Sequence, residues 1–234
     1  HYSCVKIYNM KQIKFIIGII LLPTIIPITK TLYCVLTNQS KYNFDYDNLF
    51  IIIISFILGL LALNVLPKPT KLYIIAHELS HAFFAILLGS KIKSIKIFQN
   101  SGFVKLSKTN FIITLAPYFF PFFSIILITV YYLLSLFFPV IIYYNVFIIL
   151  VSLTYSFHIF FTIHIMRTKQ SDISQNGNLF SYVIIYNLNL IILIFWLICV
   201  LPINFESALF YLKDEIIEVY ANVFTLLIDI IDKI

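Results

Sequence analysis

The sequence predicts an all-α polytopic membrane protein with about six transmembrane helices and a short β-hairpin after the third. Three observations carry that prediction. Of 234 residues, 61% are hydrophobic and 11% charged, with mean hydropathy +0.99, whereas a soluble domain carries roughly a quarter charged residues. Apolar runs recur that reach the roughly 20 residues a helix needs to cross a bilayer. Between Asp47 and Glu206 there are only two carboxylates, Glu78 and Asp172. Residues 1–204 are read as one membrane-embedded domain and residues 205–234 as a C-terminal amphipathic helix.

Taken in order, the spans fall at about 13–29, 49–66, 72–89, 111–138, 140–166 and 179–201. Met10 stands before Lys-Gln-Ile-Lys and the first apolar run, so it is an alternative start and residues 1–9 carry little weight. That run follows lysines as a signal peptide would, but no small-residue cleavage site comes after it, and it is read as a retained anchor. Pro23 and Pro27 make it the least regular span. The fourth carries Pro117 and Pro121, which free backbone carbonyls and point to a broken or re-entrant segment over 111–120.

Residues 90–110 alternate in part between polar and apolar around Gln-Asn-Ser-Gly, the pattern of a β-hairpin whose five lysines keep its outer face wet. In 205–234, Leu209, Phe210, Ile216, Ile217, Tyr220, Val223, Phe224, Leu227 and Ile231 recur at three- and four-residue steps. Six of the ten acids lie in this tail. A helix resting on anionic lipid would be basic, so packing on the bundle or on a regulatory membrane partner is expected instead.

The net charge of +6 comes from 15 lysines and one arginine, spread over short loops. That pattern fits loops beside anionic lipid, and no aromatic-interleaved basic patch supports nucleic-acid binding. Cys4, Cys34 and Cys199 form neither a disulfide framework nor a CxxC metal site. The absence of internal repeats argues against a transporter.

The chemistry is concentrated in His77-Glu-Leu-Ser-His81. Positions i and i+4 stack on one helix face, with Cβ atoms about 5–6 Å apart, so both imidazoles can address one metal ion. Glu78, next to the first histidine, can reach a metal-activated water rather than the metal. This is the HExxH arrangement of two zinc ligands and a general base. The bland alternative is a hydrogen-bonded histidine pair in a helix bundle. No cation lies within the span to pair with Glu78, which weakens that alternative.

A third ligand is needed, and the residues leave it open. Asp172 sits in the loop before the last span, while His158 and His164 lie in the fifth. By a rise of about 1.5 Å per residue, His158 lies at the depth of His81, so geometry alone favours it slightly. It could equally serve as an outer hydrogen-bond partner. Asp172 reaches the metal only if its segment dips into the bundle.

Ala76-His-Glu-Leu-Ser-His-Ala-Phe-Phe-Ala-Ile-Leu-Leu-Gly89 resembles the HExxH helix of the site-2 protease (M50) metallopeptidases, including the small Ala85 and Gly89. The hairpin and the proline-bearing span that follow look like that family too, with Ala116-Pro117 where its members often carry Gly-Pro-x-x-Asn. The resemblance covers roughly residues 70–200 and is specific at HExxH. It implies one zinc ion per chain held by His77, His81 and an aspartate that falls on Asp172, with Glu78 as base. It also implies a membrane-anchored protein substrate cut within or near the lipid bilayer, and the departures from the family's pattern make the chain resemble a divergent subgroup. Asp172 is followed by Ile173 where the family has Gly, and no Asn follows Pro117. Other membrane zincins, of prenyl-protein or quality-control type, use a glutamate as third ligand, and the next one here is Glu206, beyond the last span. A non-catalytic scaffold retaining zinc has no need of Glu78.

Overall fold

The computed structural model describes residues 2–37, 46–99, 101–201 and 205–232. Asn100 of the expected turn and the expected boundary at 204 lie outside the described residues. Helices α1 (Tyr2–Leu21) and α2 (Ile25–Thr37) are joined by a 3-10 turn, followed by α3 (Tyr46–Val65) and α4 (Thr70–Leu87). Strands β1 (Ile92–Ile97) and β2 (Gly102–Leu106) come next, then α5 (Phe111–Phe119), α6 (Phe122–Ser135), α7 (Tyr144–Met166), α8 (Ser171–Ser174), α9 (Asn178–Val200) and α10 (Phe205–Ile231).

Among the described residues four helices are long and apolar enough to cross a membrane: Met10–Thr37, Asp47–Val65, Val140–Met166 and Asn178–Val200. The pair α5 and α6, bent by 77°, makes a fifth if it is one span. The chain is therefore an integral, multi-pass, all-α membrane protein. The remaining expected span, the third in order, is α4, 18 residues long. Lys71, His77, Glu78, Ser80 and His81 lower its hydropathy, so its polar face requires protein rather than lipid around it.

The chain divides into two compact units, Tyr46–Ser174 and the pair of segments His1–Asp45 with Gln175–Ile234. In the first, α3 packs along α7, and Gly59 lets the two helices close up at Leu153 and Ser156. Leu115, Ile148, Val151 and Phe161 are fully enclosed, while Phe50, Leu61, Phe137 and Ile142 remain exposed, as a lipid-facing surface requires. The hairpin lies against α4. Its strands are antiparallel, pairing Ile97 with Gly102 and Ile95 with Val104. Its base is tied by Ser90 Oγ donating to Lys108 O at 2.7 Å and Lys91 N donating to Ser107 Oγ at 2.9 Å.

The expected break in the fourth span has a defined cause. Pro121 disfavours helical backbone at the residue before it, and Phe120 accordingly adopts φ −98 and ψ 108. Helix α5 thus ends there, and its start is capped by Asn110, whose side chain accepts from Ile113 N at 2.9 Å.

In the second unit α9 packs on α1 and α2, and α10 packs on α2. Gly18 lies against the Phe180 backbone, where a Cβ would sit 3.1 Å from the Phe180 Cα. Asn187 Nδ2 donates to Thr24 Oγ1 at 2.8 Å, bracing the 3-10 turn. Lys30 pairs with Glu215 at 2.9 Å, and Tyr220 donates to Ile20 O at 2.7 Å.

Candidate metal centre

The histidine pair is set by the pitch of α4. His77 Nε2 and His81 Nε2 face each other at 3.2 Å. Both rings point the same nitrogen inward because the other nitrogen is engaged. His81 Nδ1 lies 2.7 Å from Ile113 O, a carbonyl acceptor that requires the imidazole to donate there. His77 Nδ1 meets the Tyr73 hydroxyl at 2.9 Å, one helical turn earlier on α4. Such outer partners orient ligating imidazoles and fix their tautomers.

The chain brings Asp172 to this pair. After α7 it folds back, with Thr168 N donating to Ile165 O at 3.0 Å and Gln170 Nε2 to Thr168 Oγ1 at 2.6 Å. Ile173 is buried and pins α8 inward, so the segment dips toward the bundle. Asp172 Oδ2 then stands 3.6 Å from each Nε2. Tyr118 on α5 donates to that same oxygen at 3.3 Å. Burial would push the Asp172 carboxyl up, but the His77 and His81 imidazoles outweigh it and hold the group below the usual carboxylate range.

These three side chains offer ligand atoms that all lie within 4.8 Å of one another. A zinc ion with ligands at about 2.0–2.1 Å in tetrahedral geometry separates them by about 3.3–3.4 Å. The separations of 3.2, 3.6 and 3.6 Å match that spacing closely. The donor set of two imidazoles and one carboxylate is also one that zinc accepts in catalytic sites. The residues fit the ion.

His158 does not join the trio. It is buried on α7 and, with Tyr73, His77 and Pro117, lines a small cavity of ≈ 20 Å³. His164 stacks on Phe160 at 6.0 Å. The slight geometric preference for His158 drawn from helix rise thus gives way to the fold-back of residues 167–174, which depth counting along straight spans does not represent.

Glu78 stands outside the trio as well, buried on α4. Strand β2 crosses it at Gly102. A Cβ at that position would lie 2.6 Å from Glu78 Cγ, 2.9 Å from its Oε1 and 2.9 Å from Ile74 Cγ2. The backbone of β2 can come this close only without a side chain. A cavity of ≈ 120 Å³ opens here, lined by Tyr73, Ile74, His77, Glu78, Gly102, Ile165 and Gln170. It gives a path to both the carboxylate and the first histidine.

Sequence reasoning left out Tyr73, Tyr118 and the carbonyl of Ile113, and read Gly102 as a turn residue. Tyr73 had a signal in its i, i+4 spacing to His77. Tyr118 and Ile113 had none, because their roles come from tertiary packing.

The model of the peptidase M50B-like family matches residues 50–171. No curated protein and no solved structure matches the chain.

Proposed function

Because the chain belongs to the peptidase M50B-like family, we propose that it is an intramembrane zinc metalloprotease that hydrolyses peptide bonds of membrane-anchored proteins. The observation that supports this reading most is the convergence of His77 Nε2, His81 Nε2 and Asp172 Oδ2 at 3.2–3.6 Å. Both Nδ1 atoms have outer partners, so the inward nitrogens are the ones available to a metal.

In this reading His77, His81 and Asp172 hold one zinc ion. The ion, when bound, supplies a polarised scissile carbonyl and a more acidic water. Glu78 takes the proton from the attacking water on its carboxylate and delivers it to the nitrogen of the leaving amine, so the C–N bond breaks without an unstable anion. Tyr118 steadies the Asp172 carboxylate, and Tyr73 orients His77. The ≈ 120 Å³ cavity beside Glu78 admits water and one face of an unwound substrate segment. Unwinding is required because the amides of an intact helix are already bonded internally.

The test is Glu78→Gln in reconstituted vesicles carrying tagged single-span reporter proteins. The variant is expected to keep its zinc and to lose about 10²–10⁴-fold in cleavage rate, the range for removing a general base. Cleavage at the wild-type rate by Glu78→Gln would refute the assigned role.

A further inference from the structure

We infer that Pro117 selects the metal-binding tautomer of His81, by freeing the one carbonyl that His81 uses. The inference rests on the zinc reading above. An α-helix bonds each N–H to the carbonyl four residues earlier, and Pro117 lies inside α5. Having no N–H, it leaves the carbonyl of residue 113 without its helical donor. That residue is Ile113, 2% exposed, in a setting where an unpaired carbonyl is costly.

The vacated acceptor is the one His81 occupies, with Nδ1 at 2.7 Å from Ile113 O. A carbonyl can only accept, so this bond holds the proton on Nδ1. The Nε2 lone pair is then left facing His77 Nε2 at 3.2 Å and Asp172 Oδ2 at 3.6 Å. The proline ring also clashes with the carbonyl four residues back, and α5 packs on α4, the helix that carries His81. On both sides of Ile113 the helix keeps its own bonds, Thr114 N to Asn110 O at 3.0 Å and Phe120 N to Ala116 O at 2.9 Å. The gap in the ladder is local and sits opposite the ligand. Pro117 is thus a positioning residue, acting on the metal through Ile113 and His81.

The experiment compares wild type with Pro117→Ala in detergent. Three quantities are read: zinc affinity by competition with a chelator, thermal unfolding of the metal-free protein, and the histidine tautomer by ¹⁵N NMR at alkaline pH. The His81 signal is identified by its loss in His81→Gln. Alanine restores a helical N–H to compete for Ile113 O. Zinc affinity is therefore expected to fall about 10–100-fold, the usual effect of losing an outer partner. Metal-free stability should hold or rise, because proline is the poorest residue in a helix interior. A proline needed merely for folding would move both quantities down together, and that result would overturn the inference. So would Pro117→Ala zinc affinity equal to wild type, which would leave the zinc reading intact. Wild type without zinc would overturn both. Should Pro117→Ala fail to fold, the wild-type spectrum decides: Nδ1–H on His81 supports the inference and Nε2–H overturns it.

Discussion

Glu78 is the residue whose surroundings are most tightly specified. It lies buried under a strand whose nearest residue has no side chain, and a single added methyl at Gly102 would crowd its Cγ and Oε1. Ile74, the other crowded neighbour, is β-branched and stiff in a helix, so the flexible glutamate is the group that must move. Gly102→Ala is accordingly expected to lower cleavage at least about tenfold, with zinc content unchanged because Glu78 stands outside the trio of candidate ligands. Equal cleavage by Gly102→Ala and wild type, in matched vesicles, would count against the close approach. On the ligand side, Tyr118→Phe removes the donor to Asp172 Oδ2, and a 10–100-fold weaker zinc affinity is expected, roughly, by chelator competition. The meeting of His77 and His81 on one helix, with Glu78 beside them, was readable from their i, i+1, i+4 spacing. The residues alone left Asp172 beside His158 as a candidate, and the family resemblance made the choice. Nothing local in Lys-Gln-Ser-Asp-Ile-Ser shows that Ile173 will pull the loop inward.

Elements bring these residues together through three irregularities. The 77° bend between α5 and α6 lets a short helix lie along α4. The fold-back after α7 returns Asp172, and the hairpin covers Glu78. Prolines at 117 and 121 announced the broken span, and the Asn-Ser-Gly segment announced the hairpin, because both rest on local backbone chemistry. The strand pairing Ile97 with Gly102 follows from that pattern. A role proposed for the hairpin is to hold an unwound substrate by strand addition. Ser94→Pro combined with Lys105→Pro breaks the ladder at paired positions. The double variant is expected to abolish reporter cleavage while zinc per chain stays at the wild-type level. Persistent cleavage would remove the hairpin from substrate binding.

At the scale of the whole molecule, the three candidate ligands and the candidate base fall inside one compact unit, Tyr46–Ser174, and the family match spans nearly the same residues. Composition alone made the membrane class legible, since 11% charged residues cannot coat a water-facing surface. The number of spans was less so. Helix α4 has span length but a polar face, and hydropathy does not say whether protein covers it. Binding of a metal to the folded state alone stabilises that state. Removing zinc with a chelator is therefore expected to lower the unfolding midpoint, with restoration on adding zinc and none on adding magnesium, which prefers all-oxygen sites. An unchanged midpoint would argue against a resident ion.

The proposed function depends on His77, His81 and Asp172 holding one zinc ion. Its most direct test is the zinc content of detergent-purified protein, wild type beside His77→Ala, Asp172→Ala and His158→Ala. About one zinc per chain is expected in wild type, the single site that three protein ligands define. Loss is expected in His77→Ala and Asp172→Ala, and retention in His158→Ala. Zinc retained by Asp172→Ala and lost by His158→Ala would contradict the ligand set. A wild type without zinc, after purification with metal supplied throughout, would contradict the metal centre itself.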